Sequence, residues 1–154
     1  MDIKYINNNF QFIYRVSSII YNNAKTKILL FYGNDRDFYM LPGGKVHELE
    51  DSLSAIKREI KEELDYNNLN FRLISISEEF AKAKGYSNHQ INLIYECIYN
   101  GKIINESFKS KESDWINFKW VNINEIDKLN IYPKDINKII NSNNIVHLIS
   151  NNLK

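Results

Sequence analysis

A strongly acidic segment runs from residue 48 to residue 65. It holds seven acids and three bases, whereas the whole chain is nearly neutral, with 20 Lys and Arg against 19 Asp and Glu. Glu59, Glu62 and Glu63 are separated by three and four positions, so on a helix their side chains share one face. Like charges at that spacing repel, and a divalent cation such as Mg²⁺ or Mn²⁺, which prefers oxygen ligands, would remove the repulsion. The spacing favours a metal site, with a solvated helix face as the alternative.

A cluster of residues with special backbone properties precedes this segment. The chain has five glycines and two prolines, and three of those seven residues, Pro42, Gly43 and Gly44, are consecutive. Proline ends a strand, and glycine allows a tight turn and a close approach of the backbone to a ligand. We therefore expect a functional site where this tripeptide meets the acidic segment.

The stretch from Gly44 to Tyr66, GKVHELEDSLSAIKREIKEELDY, resembles the signature of the Nudix hydrolase family. That signature places a glycine, a glutamate, an Arg-Glu pair and a Glu-Glu pair at fixed spacing. Asp65 stands where the family has a glycine. Because Asp enters a left-handed turn more readily than most residues, we expect the change to affect the turn rather than the chemistry. The residues in register are Gly44, Glu50, Arg58, Glu59, Ile60, Glu62 and Glu63, with Tyr66 in the last apolar position.

The resemblance implies an enzyme that cleaves the pyrophosphate link of a nucleoside diphosphate joined to another group, X. Water attacks phosphorus, and Mg²⁺ or Mn²⁺ is the cofactor. The resemblance assigns metal binding to Glu59, Glu62, Glu63 and the Gly43 carbonyl. It also implies that Glu62 or Glu63 orients or deprotonates the attacking water.

The other residues of the motif have supporting roles by the same resemblance. Arg58 is counted with the catalytic glutamates, because it should pair with one of them and hold it in a single rotamer. An ordinary surface ion pair is the alternative for Arg58. Glu50 ties the loop to the helix, and Gly44 is structural.

Four further residues outside the motif are candidates for the site. Family members often add an acidic ligand from a later loop, and Glu112 is our choice, against an ordinary loop charge. Arg15 on the first long strand is a candidate for a substrate phosphate, or else pairs with a carboxylate. Tyr39 and Tyr86 are candidates for stacking on a nucleobase, with packing as the alternative for both.

The motif leaves the group X open. The leading hypothesis is a modified nucleoside triphosphate, since markers of other Nudix subfamilies are absent. A catalytically weak or inactive Nudix-fold module that binds a nucleotide as a sensor is the alternative. The intact Arg58-Glu59 and Glu62-Glu63 pairs argue against it, because sensors tend to lose these residues.

The hydrophobic pattern alternates strands with helices. The helix at 52–64 has Leu53, Ile56, Ile60 and Leu64 on its apolar face, with the acidic face beside it and Asp51 or Ser52 as its cap. The pattern and the resemblance together predict the α/β (α+β) class and the Nudix fold, an α/β/α sandwich around a mixed sheet. We expect strands at 10–20, 28–32, 38–41, 71–80, 91–99, 116–121 and 145–149, and further helices at 124–129 and from Pro133 onward.

Length and composition restrict the remaining possibilities. The 154 residues suit a single domain, 1–154, and the single cysteine, Cys97, excludes a disulfide framework. A net charge of +1 gives no bulk attraction to a nucleic acid polymer or a membrane, so we expect a small nucleotide as partner. No apolar run reaches signal-peptide or membrane-span length, which favours a cytoplasmic protein. Homodimers are common in the family, and the sequence does not decide the oligomeric state.

Overall fold

The computed structural model describes residues 1–153 and consists mainly of strands. The helix α1 spans Ser52–Leu64, and two short 3-10 helices span Ile123–Lys128 and Ile136–Lys138. The strands are β1 (Lys4–Asn7), β2 (Phe10–Asn22), β3 (Lys27–Gly33), β4 (Tyr39–Met40), β5 (Gly43–Lys45), β6 (Arg72–Ala83), β7 (Tyr86–Tyr99), β8 (Ser107–Lys109), β9 (Ile116–Asn122), β10 (Ile131–Tyr132) and β11 (Val146–Asn152).

The strands form one mixed sheet in the order β10-β4-β3-β2-β7-β6-β11. The pairs β2–β7, β6–β11 and β4–β10 are parallel, and the other pairs are antiparallel. Strands β1 and β5 also pair with β2, and β9 pairs with β3 and β8. The long parallel pairing of β2 with β7 places the middle of β2 at the centre of the sheet, next to the loop that precedes α1.

Each face of the sheet has its own apolar core. One core contains Ile56 and Ile60 of α1, and the other contains Ile126 and Ile136 of the 3-10 helices. The sheet therefore lies between two helical layers, and the predicted α+β class with a mixed sheet is confirmed. Within residues 1–153, no helix is both long and apolar enough to cross a membrane.

Helix α1 begins and ends where the sequence predicts. Asp51 is its cap, and its carboxylate accepts the Ser54 backbone N–H at 2.9 Å. Asp65 ends it with φ +59°, in the left-handed conformation expected for the position of the missing glycine, and its N–H donates to the Lys61 carbonyl. Local capping chemistry is sufficient to set both ends.

The predicted apolar face of α1 needs a correction. Leu53 is 37% exposed, while Ala55 is fully buried and Glu63 is only 7% exposed. Glu63 follows Ile56 by seven residues and so points within about 20° of it on a helix. The buried face is thus rotated toward the glutamates, and the acidic and apolar faces overlap instead of lying side by side.

The predicted helix from Pro133 is also wrong. The structure has a single 3-10 turn over Ile136–Lys138, which buries Ile136 and Ile139 against the second core. Asn141 leaves the helical region with φ +59°. A single turn is enough to bury both isoleucines, which explains why the helix does not extend further. The short strands β1, β5, β8 and β10 were not predicted, since their pairing partners lie far away in the sequence.

Candidate active site

The loop from Pro42 to Lys45 is fixed by pairing with the centre of the sheet. Strand β5 runs antiparallel to β2, with Gly43 opposite Ser17 and Gly44 opposite Val16. Gly43 has φ +149°, and a Cβ atom there would lie 2.2 Å from the Val16 carbonyl oxygen. A side chain at this position would therefore collide with the backbone of β2.

Arg58 and Glu50 join the helix to the loop. Arg58 Nε donates to Glu50 Oε1 at 2.8 Å and Arg58 Nη2 to Oε2 at 2.9 Å. Arg58 Nη2 also donates to the Lys45 carbonyl, and Glu50 Oε2 accepts the His47 N–H. The guanidinium holds the pKa of Glu50 down at about 2, and the same hydrogen bond raises the pKa of Arg58. This two-pronged pair rigidifies the loop on which Gly43 and Gly44 lie.

Arg58 also contacts two of the predicted metal ligands. Its Nη1 donates to Glu59 Oε1 at 2.7 Å and to Glu62 Oε2 at 3.3 Å. Burial raises the pKa of Glu59 despite this contact, and the Glu62 charge adds to the effect. Glu62 has 46% of its side chain exposed. The carboxylates of Glu59 and Glu62 thus both accept from the same nitrogen of the Arg58 guanidinium.

Glu63 is the buried carboxylate of the group. Its Oε2 is enclosed and has no hydrogen-bond partner among residues 1–153. Burial raises its pKa to about 8; the Arg15 charge opposes the rise, and the charges of Glu59 and Glu112 add to it. Burying an ionised carboxylate without a donor is unfavourable unless a cation compensates it.

These donors match what a hard divalent cation binds. Glu59, Glu62 and Glu63 supply carboxylate oxygens, and Glu63 Oε2 has no hydrogen-bond partner among the described residues. In the part of the chain that is described, no three Asp, Glu, His or Cys side chains converge with the geometry of a metal cage. The Glu59 and Glu62 carboxylates are instead each hydrogen-bonded to Arg58 Nη1.

Arg15 projects from β2 into this group of charges. Its Nη2 lies 3.4 Å from the carbonyl oxygens of Leu41 and Gly43. Burial lowers the pKa of Arg15, and the nearby charges of Glu63 and Glu79 raise it. It forms no ion pair within 4.0 Å in the described residues, so the direct carboxylate pairing offered as its alternative is not formed.

The loop between β8 and β9 reaches the end of α1. The Lys111 N–H donates to the Glu63 carbonyl at 2.9 Å, and the Glu112 N–H to Ser110 Oγ at 3.1 Å. The structure therefore brings Glu112 near Glu63, where its charge raises the pKa of the Glu63 carboxyl. Glu112 itself is exposed.

The two predicted tyrosines are not brought together. Tyr39 packs edge-on against Tyr32 at 5.4 Å on β4. Tyr86 begins β7 beside the Gly85 turn, six residues before Asn92, or about 20 Å along an extended strand. Asn92 is the β7 residue that pairs with Arg15, and Arg15 lies beside the motif. Tyr86 is therefore well away from the motif.

Sequence reasoning missed a polar cleft on the sheet beside Arg15. Glu79 on β6 accepts from Asn92 Nδ2 at 3.1 Å, and Ser17 Oγ donates to Asn92 Oδ1 at 2.9 Å. These residues line a small cleft with Arg15 and Tyr132. The alternation of Asn88, Gln90 and Asn92 along β7 is the signal that would have revealed this polar face.

A second cavity, of about 410 Å³, lies at the opposite end of the sheet. It is lined by Tyr21, Arg72, Glu96 and Tyr99 among others, and it contains none of the predicted site residues. Arg72 is already paired with Glu96 at 2.6 Å. The cavity is therefore separate from the chemistry of the glutamates.

Comparison with known proteins identifies the family of this chain. The NUDIX domain model matches residues 12–141. A curated protein of Saccharomyces cerevisiae (strain S288c), named m7GpppN-mRNA hydrolase, is 28% identical over 135 residues, which are 87% of this chain and 12% of that protein. The mRNA-decapping enzyme subunit 2 of strain YJM789 gives the same values. This chain thus matches only a small part of the length of these relatives.

Solved structures share the fold. The mutator MutT protein from Bacillus halodurans superposes with a TM-score of 0.69 at 20% identity, over 88% of this chain and 86% of that one. The dihydroneopterin triphosphate pyrophosphohydrolase of E. coli superposes with a TM-score of 0.61 at 18% identity, over 82% of this chain and 91% of that one. At these identities the likeness establishes the architecture alone.

Proposed function

This chain belongs to the NUDIX domain family, and from that premise we propose that it is a divalent-metal-dependent pyrophosphohydrolase. Its substrate is a nucleoside diphosphate linked to a group X, with a modified nucleoside triphosphate as the leading candidate. Water adds to one phosphorus, the pyrophosphate P–O bond breaks, and two phosphorylated products leave. The observation that best supports this proposal is the buried Oε2 of Glu63, which has no hydrogen-bond partner within residues 1–153 and lies near the charges of Glu59 and Arg15.

We assign metal binding to Glu59, Glu62, Glu63, the Gly43 carbonyl and Glu112. A bound Mg²⁺ or Mn²⁺ would neutralise phosphate charge and polarise the scissile link. Glu62 or Glu63 orients or deprotonates the attacking water.

The remaining residues act by position. Arg58 and Glu50 hold the loop against α1, which keeps the Gly43 carbonyl next to the glutamates. Gly44 leaves room for the Glu59 carboxylate. Arg15, partly buried and without a carboxylate partner within 4.0 Å in the described range, is available for a substrate phosphate.

The test is a product-release screen with purified protein, with Mg²⁺ and with Mn²⁺. The substrates are nucleoside triphosphates, nucleoside diphosphate sugars, ADP-ribose and dinucleoside polyphosphates. We expect metal-dependent turnover of at least one class, and a rise in melting temperature on metal addition. Failure of every class, together with no thermal shift, would overturn the proposal. Nucleotide binding without turnover would instead support the sensor alternative.

A capped RNA is the second candidate substrate, favoured by the 28% identity to the m7GpppN-mRNA hydrolase. The cap also contains a polyphosphate bridge, so the same glutamates would act on it. The screen therefore includes a short capped RNA beside the free nucleotides. Turnover of the capped RNA alone would replace the small-nucleotide assignment.

A further inference from the structure

Arg36 lies in the loop between β3 and β4 and contacts two aromatic rings. Its guanidinium carbon is 5.5 Å from the ring centre of Phe38 and 5.5 Å from that of Trp115. The arginine side chain is 24% exposed. Among residues 1–153 its guanidinium forms no hydrogen bond, and the nearest ion-pair partner, Asp35 Oδ1, is 4.0 Å from Nε. Both rings thus lie within cation–π distance of the guanidinium, while its N–H groups have no acceptor within hydrogen-bond distance in the part of the chain that is described.

The fold fixes the position of this stack. The Asn34 N–H donates to the Trp115 carbonyl at 3.0 Å, and Asn117 Nδ2 donates to Asn34 Oδ1. A Cβ on Gly33 would lie 3.2 Å from the Trp115 ring, so the absence of a side chain there allows the indole to seat closely. The Arg36 loop and the Trp115 loop are therefore joined as one unit.

This unit borders the glutamate site on two sides. Phe38 packs edge-on against Tyr132 at 5.3 Å, and Tyr132 lines the cleft that contains Arg15 and Glu79. The Trp115 loop is the one whose Lys111 N–H bonds to the Glu63 carbonyl. The positive charge of Arg36 also adds to the lowering of the Arg15 pKa, of which burial is the main cause.

A stacked guanidinium with an unused donor edge is well suited to a phosphate group. Aromatic faces fix the plane of the cation without using its N–H donors, and phosphate accepts them in a charge-assisted, two-pronged contact. Among the described residues Arg15 has no carboxylate partner within 4.0 Å, and Arg36 has only Asp35 Oδ1 at 4.0 Å, so two weakly paired cations lie near the proposed metal ligands. A nucleoside diphosphate sugar offers no third phosphate to the second cation, whereas a triphosphate does.

We propose that Arg36, held against Phe38 and Trp115, binds a phosphate of the group X and so selects substrates with three or more phosphates over nucleoside diphosphate sugars. This inference rests on the proposed function and names its substrate class. The alternative is that Arg36 only fastens the two loops together.

The experiment compares wild type with Arg36→Gln and Arg36→Lys on two substrates that share a base, GTP and GDP-mannose. We expect wild type to prefer GTP. Arg36→Gln should lower kcat/KM for GTP about 10- to 100-fold, chiefly through KM, as for losing a charged hydrogen bond. It should change the value for GDP-mannose less than about twofold, and Arg36→Lys should keep part of the preference.

Lys25→Gln is the matched control, because Lys25 lies over the Tyr21 ring at the far end of the sheet. It should leave both values unchanged. If Arg36→Gln lowered kcat/KM equally for both substrates and also lowered the melting temperature, Arg36 would only fasten the loops together. Unchanged GTP kinetics would likewise overturn the proposal.

Calorimetry with a non-hydrolysable GTP analogue and Mg²⁺ separates this inference from the proposed function. Wild type that binds the analogue more tightly than Arg36→Gln, without turning over any substrate, would overturn the hydrolase proposal and leave the phosphate contact supported. Wild type that hydrolyses GTP with the same KM as Arg36→Gln would overturn the phosphate contact alone. Wild type that neither binds nor hydrolyses would overturn both.

Discussion

The carboxylate of Glu59 occupies the space that a side chain on Gly44 would need. A Cβ atom on Gly44 would lie 2.2 Å from Cδ and 2.2 Å from Oε2 of Glu59. The missing side chain at Gly44 thus makes room for the Glu59 carboxylate, whereas the missing side chain at Gly43 makes room for the backbone of β2. The two adjacent glycines therefore have different roles. Substitution of Gly44 should affect mainly the activity, and substitution of Gly43 should affect mainly the stability.

Gly44→Ala should displace the flexible Glu59 carboxylate with little change to the fold. We expect the free energy of unfolding to fall by less than about 1 kcal/mol and kcat to fall at least about tenfold. Gly43→Ala, which meets the Val16 carbonyl at φ +149°, should cost about 2–4 kcal/mol. Urea unfolding and steady-state kinetics check both. Equal stability losses in the two variants would contradict this division.

Glu62→Gln and Glu63→Gln should each lower kcat at least about a hundredfold, because each removes a proposed metal ligand or base. Both variants should stay folded by circular dichroism. The metal-induced rise in melting temperature should shrink in both, and more in Glu63→Gln, whose buried oxygen has no other partner among the described residues. Full activity in both variants would remove these residues from the site.

Glu112→Gln should reduce activity about tenfold, less than the helix glutamates, because Glu112 is exposed on the loop that contacts Glu63. Asp114→Asn is the matched control from the same loop, and it should change kcat/KM less than about twofold. Titration of activity against Mn²⁺ concentration measures the metal requirement of each variant. An unchanged requirement in Glu112→Gln would exclude it as a ligand.

The Arg58–Glu50 pair should make stability depend on acid pH. The pKa of Glu50 is about 2 in the folded protein against an ordinary value of 4.5, so its stabilisation is complete above about pH 4.5 and is lost as the pH falls through about 2. Urea midpoints of metal-free wild type should therefore decline over this window. Glu50→Gln should be less stable by about 1.5–3 kcal/mol at pH 7 and should show a shallower decline.

Glu48→Gln is the control for that pH series, since Glu48 is exposed on the same loop. It should follow the wild-type curve. A Glu50→Gln curve parallel to wild type would show that Arg58 does not depress the Glu50 pKa.

Asp65→Gly restores the residue type that the family has at the end of the helix. Asp65 has φ +59°, and glycine adopts this conformation without strain, so we expect a gain of about 0.5–1 kcal/mol in stability. Asp65→Ala should lose about 1 kcal/mol, and kcat should stay within about twofold in both variants. A large rise in kcat with glycine would show that the turn influences the chemistry.

Local patterns were sufficient for a defined part of this molecule. The register of the motif from Gly44 to Tyr66, both ends of α1 and the left-handed turn at Asp65 follow from spacing and capping within a few residues. The mixed sheet follows from the run of alternating segments. These features depend on residues that are close together in the chain, so the sequence alone is enough to predict them.

The positions of the remaining site residues depend on the tertiary structure. Burial of Glu63 requires α1 to rotate its glutamate edge onto the sheet, and Arg15 reaches the glutamates only because β5 pairs with β2. The Arg36–Trp115 stack joins loops almost eighty residues apart. Spacing indicates which residues are candidates for the chemistry, and strand pairing between distant segments decides which of these candidates are buried and which of their charges lie close together.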